Sequence, residues 1–464
     1  MLQSQGFLLW STGRPIAFLR PSCRPSSATS RVRMSAERDG DGDGTPQMLI
    51  VGAGCTGALI AALVPREAAR RGRPRPRISV WEWGRGPAGR MTSFWADVAG
   101  ERVVADVGAQ VISLRDPRRL PEWMEPHVMA ADGLGLSATE EREPSWYHFC
   151  APGGLPSLQR ASLQEAQPDE LCFNRRVVEL TGSGGEWQAG FAGERGGRRP
   201  VGSQAFSVVV FAGTASDAGN LEGLRSVLSP HQLRALNGVR YDHRLCLALI
   251  LKPQMAEHLE ALCQGKAELL LEGALPVRLV ARQEVKGRDG SKGGCAVVLH
   301  STPTFAAENL QRAKRQNTSP AVLGRQALSK CLADLLNMAL PKLEAAVLES
   351  KVVHWRQCQV RKPLVLDARS EACLVAEGAP TLILAGDYLA GDTAGSFEGC
   401  LDSAEAAAAA ALEALPFQAE ARKPPGVSSG LSRPGPPRRW GYREEAKATS
   451  GRRWRAKTGD STTP

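Results

Sequence analysis

Short apolar runs at 48–51, 78–81, Val208–Phe211 and Thr381–Ala385 punctuate the chain. They are too short for helices and lack the alternation of a half-exposed strand. That pattern predicts strands of a parallel sheet buried on both faces. The first run empties into Gly52, Gly54 and Gly57, and an apolar, helix-forming stretch at 58–64 follows it. Further strands are predicted at 172–180, 186–191, 206–211, Arg244–Leu251, 278–282 and Cys295–Ser301. Helices are predicted at 121–129, 157–165, 323–336 and 343–350. A last helix carries the alanine-rich run 403–415, with Ser396 as its N-cap.

A G-x-G-x-x-G match is weak alone, but strand, glycine turn and helix together predict a Rossmann-type nucleotide site. Gly52 permits the tight turn, Gly54 lets backbone approach a pyrophosphate, and Gly57 lets helix and strand pack closely. The phosphates then sit at the positive end of the helix. The alternative is a glycine-rich turn with no ligand. The second strand ends at Glu82, 25 positions after Gly57. A carboxylate there accepts from both adenosine ribose hydroxyls and repels a 2′-phosphate, so NADP is not the expected resident nucleotide. Arg70, Arg71, Arg73, Arg75 and Arg77 read as a solvated crossover loop.

Two further glycine-bearing loops change the picture. Residues 87–93 carry Arg90, a cation for the pyrophosphate, and 105–110 carry Gly108 and Ala109, a flat passage for a flavin ring. Taken alone, Arg90 is a surface charge and Gly108 a turn glycine. Gly386 and Asp387 follow the strand at Thr381–Ala385, and the helix beginning near Phe397 comes next. An Asp there can hold ribityl and phosphate oxygens, and a helix N-terminus stabilises the negative charge of a reduced flavin. The expected cofactor is therefore FAD. Its discontinuous domain covers 47–125, 166–232 and 354–418, and a substrate domain covers 126–165 and 233–353. Tyr241, His243, Arg244, His300 and Trp355 are the candidates for facing substrate, each otherwise a structural residue. No acid–base pair is evident, and no catalytic residue is assigned.

The net charge of +10 belongs to the chain ends. Residues 1–36 hold five arginines and no acid, and 421–464 hold eleven Lys or Arg against three acids, which leaves the middle at −3. A nucleic-acid partner for the core is therefore not expected. The leader, 1–46, is rich in Arg and Ser and suits a chloroplast or mitochondrial transit peptide. An unprocessed cytoplasmic protein is the alternative. The tail, 419–464, reads as disordered. Asp39–Gly44 lacks the glutamate of a calcium loop. The eleven cysteines show no metal spacing and read as free thiols, and no metal is expected. No apolar run reaches the about 20 residues of a spanning helix. Oligomeric state stays open.

Residues 48–415 resemble the renalase family within the monoamine-oxidase-like flavoproteins. The motifs are Leu-Ile-Val-Gly-Ala-Gly-Cys-Thr-Gly at 49–57, Gly-Arg-Met-Thr at 89–92, Ala-Asp-Val-Gly-Ala-Gln at 105–110, Gly386–Asp387, and Phe-Glu-Gly-Cys at 397–400. The middle is looser but matches at 151–152, 239–249, 300–302 and 355–356. Ala88 departs from the pattern, which has glycine there. The resemblance implies an α/β, glutathione-reductase/amine-oxidase-like two-domain fold: a Rossmann-type FAD domain and an α+β substrate domain whose mixed sheet covers the flavin. It implies non-covalent FAD held through Thr56, Glu82, Arg90, Gln110 and Val111, with Cys55, Gly89, Met91, Val177, Phe397 and Glu398 beside them. The implied reaction oxidises 2- or 6-dihydronicotinamide nucleotides to NAD(P)⁺ by hydride transfer to flavin N5, and dioxygen then becomes peroxide. Such a donor needs orientation more than a general base. A flavin amine oxidase is the second reading; it expects an aromatic cage, which four tyrosines (147, 241, 388 and 442) make hard to build. A flavin-binding protein with little turnover is the third.

Overall fold

Met48 and Ile50 point into one apolar core while Leu49 and Val51 point into another. A strand with two buried faces has no polar position to spare, which is why this run reads as continuous hydrophobicity. A computed structural model describes residues 45–417 apart from 137–144, 194–196, 198, 274, 289–293 and 367–371. The expected tail, the expected leader up to residue 44 and Asp39–Gly44 lie outside the described residues.

Gln47–Val51 (β1) passes through the glycine turn into Cys55–Arg70 (α1), and Arg77–Trp81 (β2) returns beside β1. A hairpin of Ser93–Val98 (β3) and Glu101–Asp106 (β4) follows, then Pro156–Ala166 (α2), Glu170–Cys172 (β5) and Val208–Phe211 (β6). Arg244–Leu251 (β7), Glu268–Leu270 (β8), Val277–Arg282 (β9) and Cys295–Ser301 (β10) come next. The helices Pro303–Arg315 (α3), Pro320–Leu335 (α4) and Leu340–Ala346 (α5) lead to Val347–Trp355 (β11). Cys373–Val375 (β12), Thr381–Ala385 (β13) and Phe397–Ala414 (α6) complete the described chain.

The central sheet runs β12-β13-β6-β1-β2-β5, parallel except for the antiparallel edge strand β12. Helices α1, α2 and α6 pack together on one face. On the other lies a three-stranded antiparallel layer, Arg176–Ser183, Glu186–Ala192 and Gly202–Phe206, around Trp187 and Phe206. The fold is thus the expected α/β, Rossmann-type one. The second sheet, β8-β9-β10-β7-β11, is antiparallel throughout, so the mixed pairing sits in the central sheet and not in this one. One of its faces packs Leu245, Leu247 and Leu249 against α3 to α5; the other sets Ala248, Ile250 and Val298 against Val103 and Ala105 of β4.

Several predicted elements break where local chemistry demands it. The run 172–180 divides because Asn174 turns with φ 58°, and Asn174 and Arg175 donate backbone N–H bonds to Gly84 and Glu82 carbonyls. The stretch 121–129 forms only a 3-10 turn, Glu125–His127, and a short strand, since Pro126 has no N–H for a helix. The stretch 343–350 is helical only to Ala346; from Val347 it pairs with β7, and that pairing outweighs the helix preference of Leu348 and Glu349. The basic crossover is not a free loop either. Arg70 and Arg71 bind Glu67, Arg73 donates to the Leu412 carbonyl, Arg75 reaches Asp169 and the Gln167 carbonyl, and Arg77 opens β2.

Candidate functional site

The carboxyl ends of β1, β2, β6 and β13 and one end of the antiparallel sheet enclose a cavity of about 1350 Å³. Single-ligand pockets run to about 1000 Å³, so there is room for a dinucleotide and a second molecule. Gly52, Gly54, Cys55, Thr56, Glu82, Gly89, Arg90, Met91, Gly108, Ala109, Gln110, Val111, Val177, Gly386, Asp387 and Phe397 all line it.

The glycines divide the work. A Cβ on Gly57 would stand 2.0 Å from the Gly52 carbonyl oxygen, so Gly57 sets the close packing of α1 on the turn and does not line the cavity. A Cβ on Gly54 would meet no protein atom within 4 Å: it would project into open space at the mouth of α1. A Cβ on Gly108 would stand 1.8 Å from the Arg90 carbonyl oxygen, which instead accepts the Ala109 N–H at 3.0 Å.

Glu82 bridges the fingerprint, accepting from the Ala53 N–H at 2.8 Å and from the Gly84 N–H. Arg90 donates to Asp387 at 2.6 Å and to the Cys358 carbonyl at 3.2 Å. Burial opposes the Arg90 charge, but the Asp387 carboxylate more than offsets it and the guanidinium is held more firmly ionised than usual. The Gly386 N–H is anchored by Ser403 Oγ at 2.8 Å. Helix α6 opens at the cavity wall, where the Ser396 hydroxyl caps it by accepting the Gly399 N–H at 3.0 Å. The Cys55 thiol faces Cys400, and that contact together with burial pushes it well up, away from thiolate character.

Other expected site residues lie elsewhere. Glu398 turns away from the cavity, accepting from the Arg115 N–H at 2.7 Å and pairing with Arg119 at 3.2 Å, because its helical position faces the 112–119 segment. Tyr241 sits outside the cavity lining with its hydroxyl accepting the Ala215 N–H at 3.1 Å. His243 is exposed, its ring 6.3 Å from that of His354. Residues 240–241 form a separate ladder with Val360–Lys362, so they do not share the face that Arg244 presents.

Arg244, His300 and Trp355 do line the cavity. Arg244 pairs with Asp242 at 2.9 Å, His300 meets Gln110 at 3.2 Å, and the Trp355 indole donates to the Val107 carbonyl at 2.7 Å. Sequence reasoning passed over Leu270, Arg278, His354 and Arg356, which complete this wall. They lie at or beside the ends of β8, β9 and β11, which come together only once the sheet's register is known. Every ionisable side chain the sheet and its 354–359 extension give the cavity is basic or a histidine, except for the Cys358 thiol. Glu82, Asp217, Glu222 and Asp387, the lining carboxylates, all belong to the central-sheet side. Among the described residues no three His, Cys, Asp or Glu side chains cluster to hold a metal, and no helix is long and apolar enough to cross a membrane.

A family model of NAD(P)-binding Rossmann-like domains matches residues 50–125. Renalase of Mus musculus is 24% identical over 371 residues, covering 77% of this chain and 96% of that protein. A provisionally assigned protoporphyrinogen oxidase from Exiguobacterium sp. 255-15 superposes with a TM-score of 0.55 at 11% identity, covering 79% of this chain and 99% of that one. A double mutant of putrescine oxidase gives a TM-score of 0.54 at 13% identity over 80% of this chain and all of that one (100%). At these identities the structural likeness is one of fold.

Proposed function

We propose that the protein is an FAD-dependent oxidoreductase that oxidises 2- and 6-dihydronicotinamide nucleotides to NAD(P)⁺. The residues present fit FAD: the open cradle at Gly54 beside the N-terminus of α1 suits a pyrophosphate, and Glu82 suits the adenosine ribose. Arg90, fixed by Asp387, supplies a cation near the phosphates, and the capped N-terminus of α6 supplies positive potential at the far end. Bound there, the flavin supplies a two-electron acceptor that dioxygen reoxidises to yield peroxide. The chain's own part is to hold the donor against the passage at 108–110, shed water and neutralise the donor's charge.

The observation that carries the substrate reading is the charge of the wall. Arg244, Arg278 and Arg356 line the cavity beside His300 and His354, and no carboxylate of the same sheet lines it; Asp242, the partner of Arg244, lies outside the lining. Such a wall attracts a phosphorylated donor and repels a protonated amine. The fold likeness to putrescine oxidase favours the amine reading. Against it, no described tyrosine lines the cavity: Tyr388 is buried in the core, Tyr241 is bonded to Ala215, and Tyr147 is exposed. The test is anaerobic stopped-flow bleaching of the purified flavoprotein. Fast bleaching by 6-dihydro-NAD, with slow bleaching by the 4-dihydro form and by amines, is expected. Fast bleaching by a monoamine alone overturns the reading.

A further inference from the structure

Behind the cavity wall lies a buried polar cluster that the proposed reaction does not use. Lys286 is 1% exposed and donates to Gln110 Oε1 at 2.8 Å, Asp106 Oδ2 at 3.2 Å and Gln283 Oε1 at 3.2 Å. Arg288 reaches the same Asp106 and Gln283 oxygens. Gln283 Nε2 donates a second bond to Gln110 Oε1 at 2.9 Å.

With two donors on its oxygen, the Gln110 amide has one orientation. Its nitrogen faces the Asp106 and Gly108 carbonyls at 2.6 and 3.0 Å, and these take its two hydrogens. His300 Nε2 is 3.2 Å from the same nitrogen. An amide nitrogen accepts no hydrogen bond, so a proton on that ring nitrogen would point at an N–H₂ group.

We infer that Gln110 is a positioning residue: held by Lys286, Gln283 and the Asp106 and Gly108 carbonyls, it keeps His300 Nε2 unprotonated, so the histidine in the cavity wall stays a neutral Nδ1–H imidazole. Charged groups stand on the elements around it: Arg244 with its partner Asp242, Glu268 on β8, Arg278 on β9, His354 on β11, and Asp106, Lys286 and Arg288 behind Gln110. Burial pushes the Lys286 ammonium down to about 8 against the pull of Asp106, and Arg288 adds to the fall. Below that value the ammonium is the main form.

The consequence does not depend on which donor the enzyme oxidises. His300 carries no positive charge of its own and its one proton is on Nδ1; the arginines carry the wall's charge. The experiment is long-range ¹H–¹⁵N NMR of the full chain labelled at its seven histidines, with His300→Gln assigning the signal. The wild-type ring is expected to show the Nδ1–H tautomer, with no titration between about pH 5.5 and 8. In Gln110→Leu no N–H₂ group faces the ring, and the proton affinity of His300 should rise at least about tenfold. In Gln110→Glu a carboxylate replaces the N–H₂ group, and the ring should be protonated at neutral pH. A wild-type His300 that titrates near its ordinary value, or shows the Nε2–H tautomer, overturns the inference whether or not either variant folds.

Discussion

Gly54 and Gly57 stand three positions apart and answer to different demands. Gly54→Ala places its methyl in open space, so its apoprotein should melt where the wild-type apoprotein does, yet the variant should lose most of its FAD. Gly57→Ala drives a methyl into the Gly52 carbonyl and should lower the melting temperature even without cofactor. Melting curves and flavin content distinguish the two; the reverse pattern would show that the cradle is not at Gly54. A second residue-level test concerns Asp106. Burial pushes its carboxyl up, but Lys286 and Arg288 outweigh burial and hold it below the ordinary value of 3.8. The folded state therefore releases this proton more readily than the unfolded one. The stabilisation is complete above the ordinary value and is lost as pH falls through the lower, folded one. Asp106→Asn should cost about 3–5 kcal/mol near neutrality, because it leaves two buried cations without their partner. The gap to wild type should close as acid titrates the wild-type carboxyl, as denaturant melts at pH 7 and pH 3 can check. A pH-independent gap would mean that Asp106 acts through packing alone.

At the scale of elements, the parallel strands were legible because burial on both faces leaves an unbroken apolar run in β1, β2, β6 and β13. The fingerprint was legible because turn, carboxylate and helix follow one another within about 30 residues. Elements settled by partners were not. Nothing local in 343–350 marks the change from helix to strand at Val347; β7 imposes it from a hundred residues upstream. The cluster at Asp106, Gln110, Lys286 and Arg288 was equally hidden, since it joins segments separated by 176 to 182 positions. Tyr241 and His243, which lie off the cavity lining, share that cause: a bulge between Arg240 and Tyr241 breaks the phase that leads into β7. For α6, whose cap was read directly, Ser396→Ala removes the acceptor for the Gly399 N–H and should cost about 1 kcal/mol. Flavin retention should fall with it, because the same turn lines the cavity. Unchanged stability together with unchanged FAD content would remove α6 from the site.

For the molecule as a whole, the described core is closed without the basic ends. Both faces of the central sheet are covered by residues between 48 and 417. A chain trimmed to residues 46–420 should therefore fold and bind FAD like the full protein. Aggregation, or an apoprotein that cannot be reconstituted, would show that an end segment packs on the core. The cavity draws on β1 near the start, β6 in the middle and β13 near the end, and on the antiparallel sheet inserted between the last two. Its central-sheet side and its cationic side are thus contributed by different parts of the chain and meet through contacts such as Trp355 to Val107 and Gln110 to His300.

The pairing of β6 with β13 joins residue 208 to residue 381. A ribosome must therefore deliver nearly the whole described chain before the strand that holds Gly386 and Asp387 exists to be paired. Until then the fingerprint turn is present without its far wall, and β6 has an open edge that invites association with other nascent chains. Pairings this distant in sequence are slow to close. Capture of the proposed FAD should then be a late event in biogenesis, and the yield of flavin-loaded protein should depend on FAD supply and synthesis rate more steeply than the stability of the finished protein does.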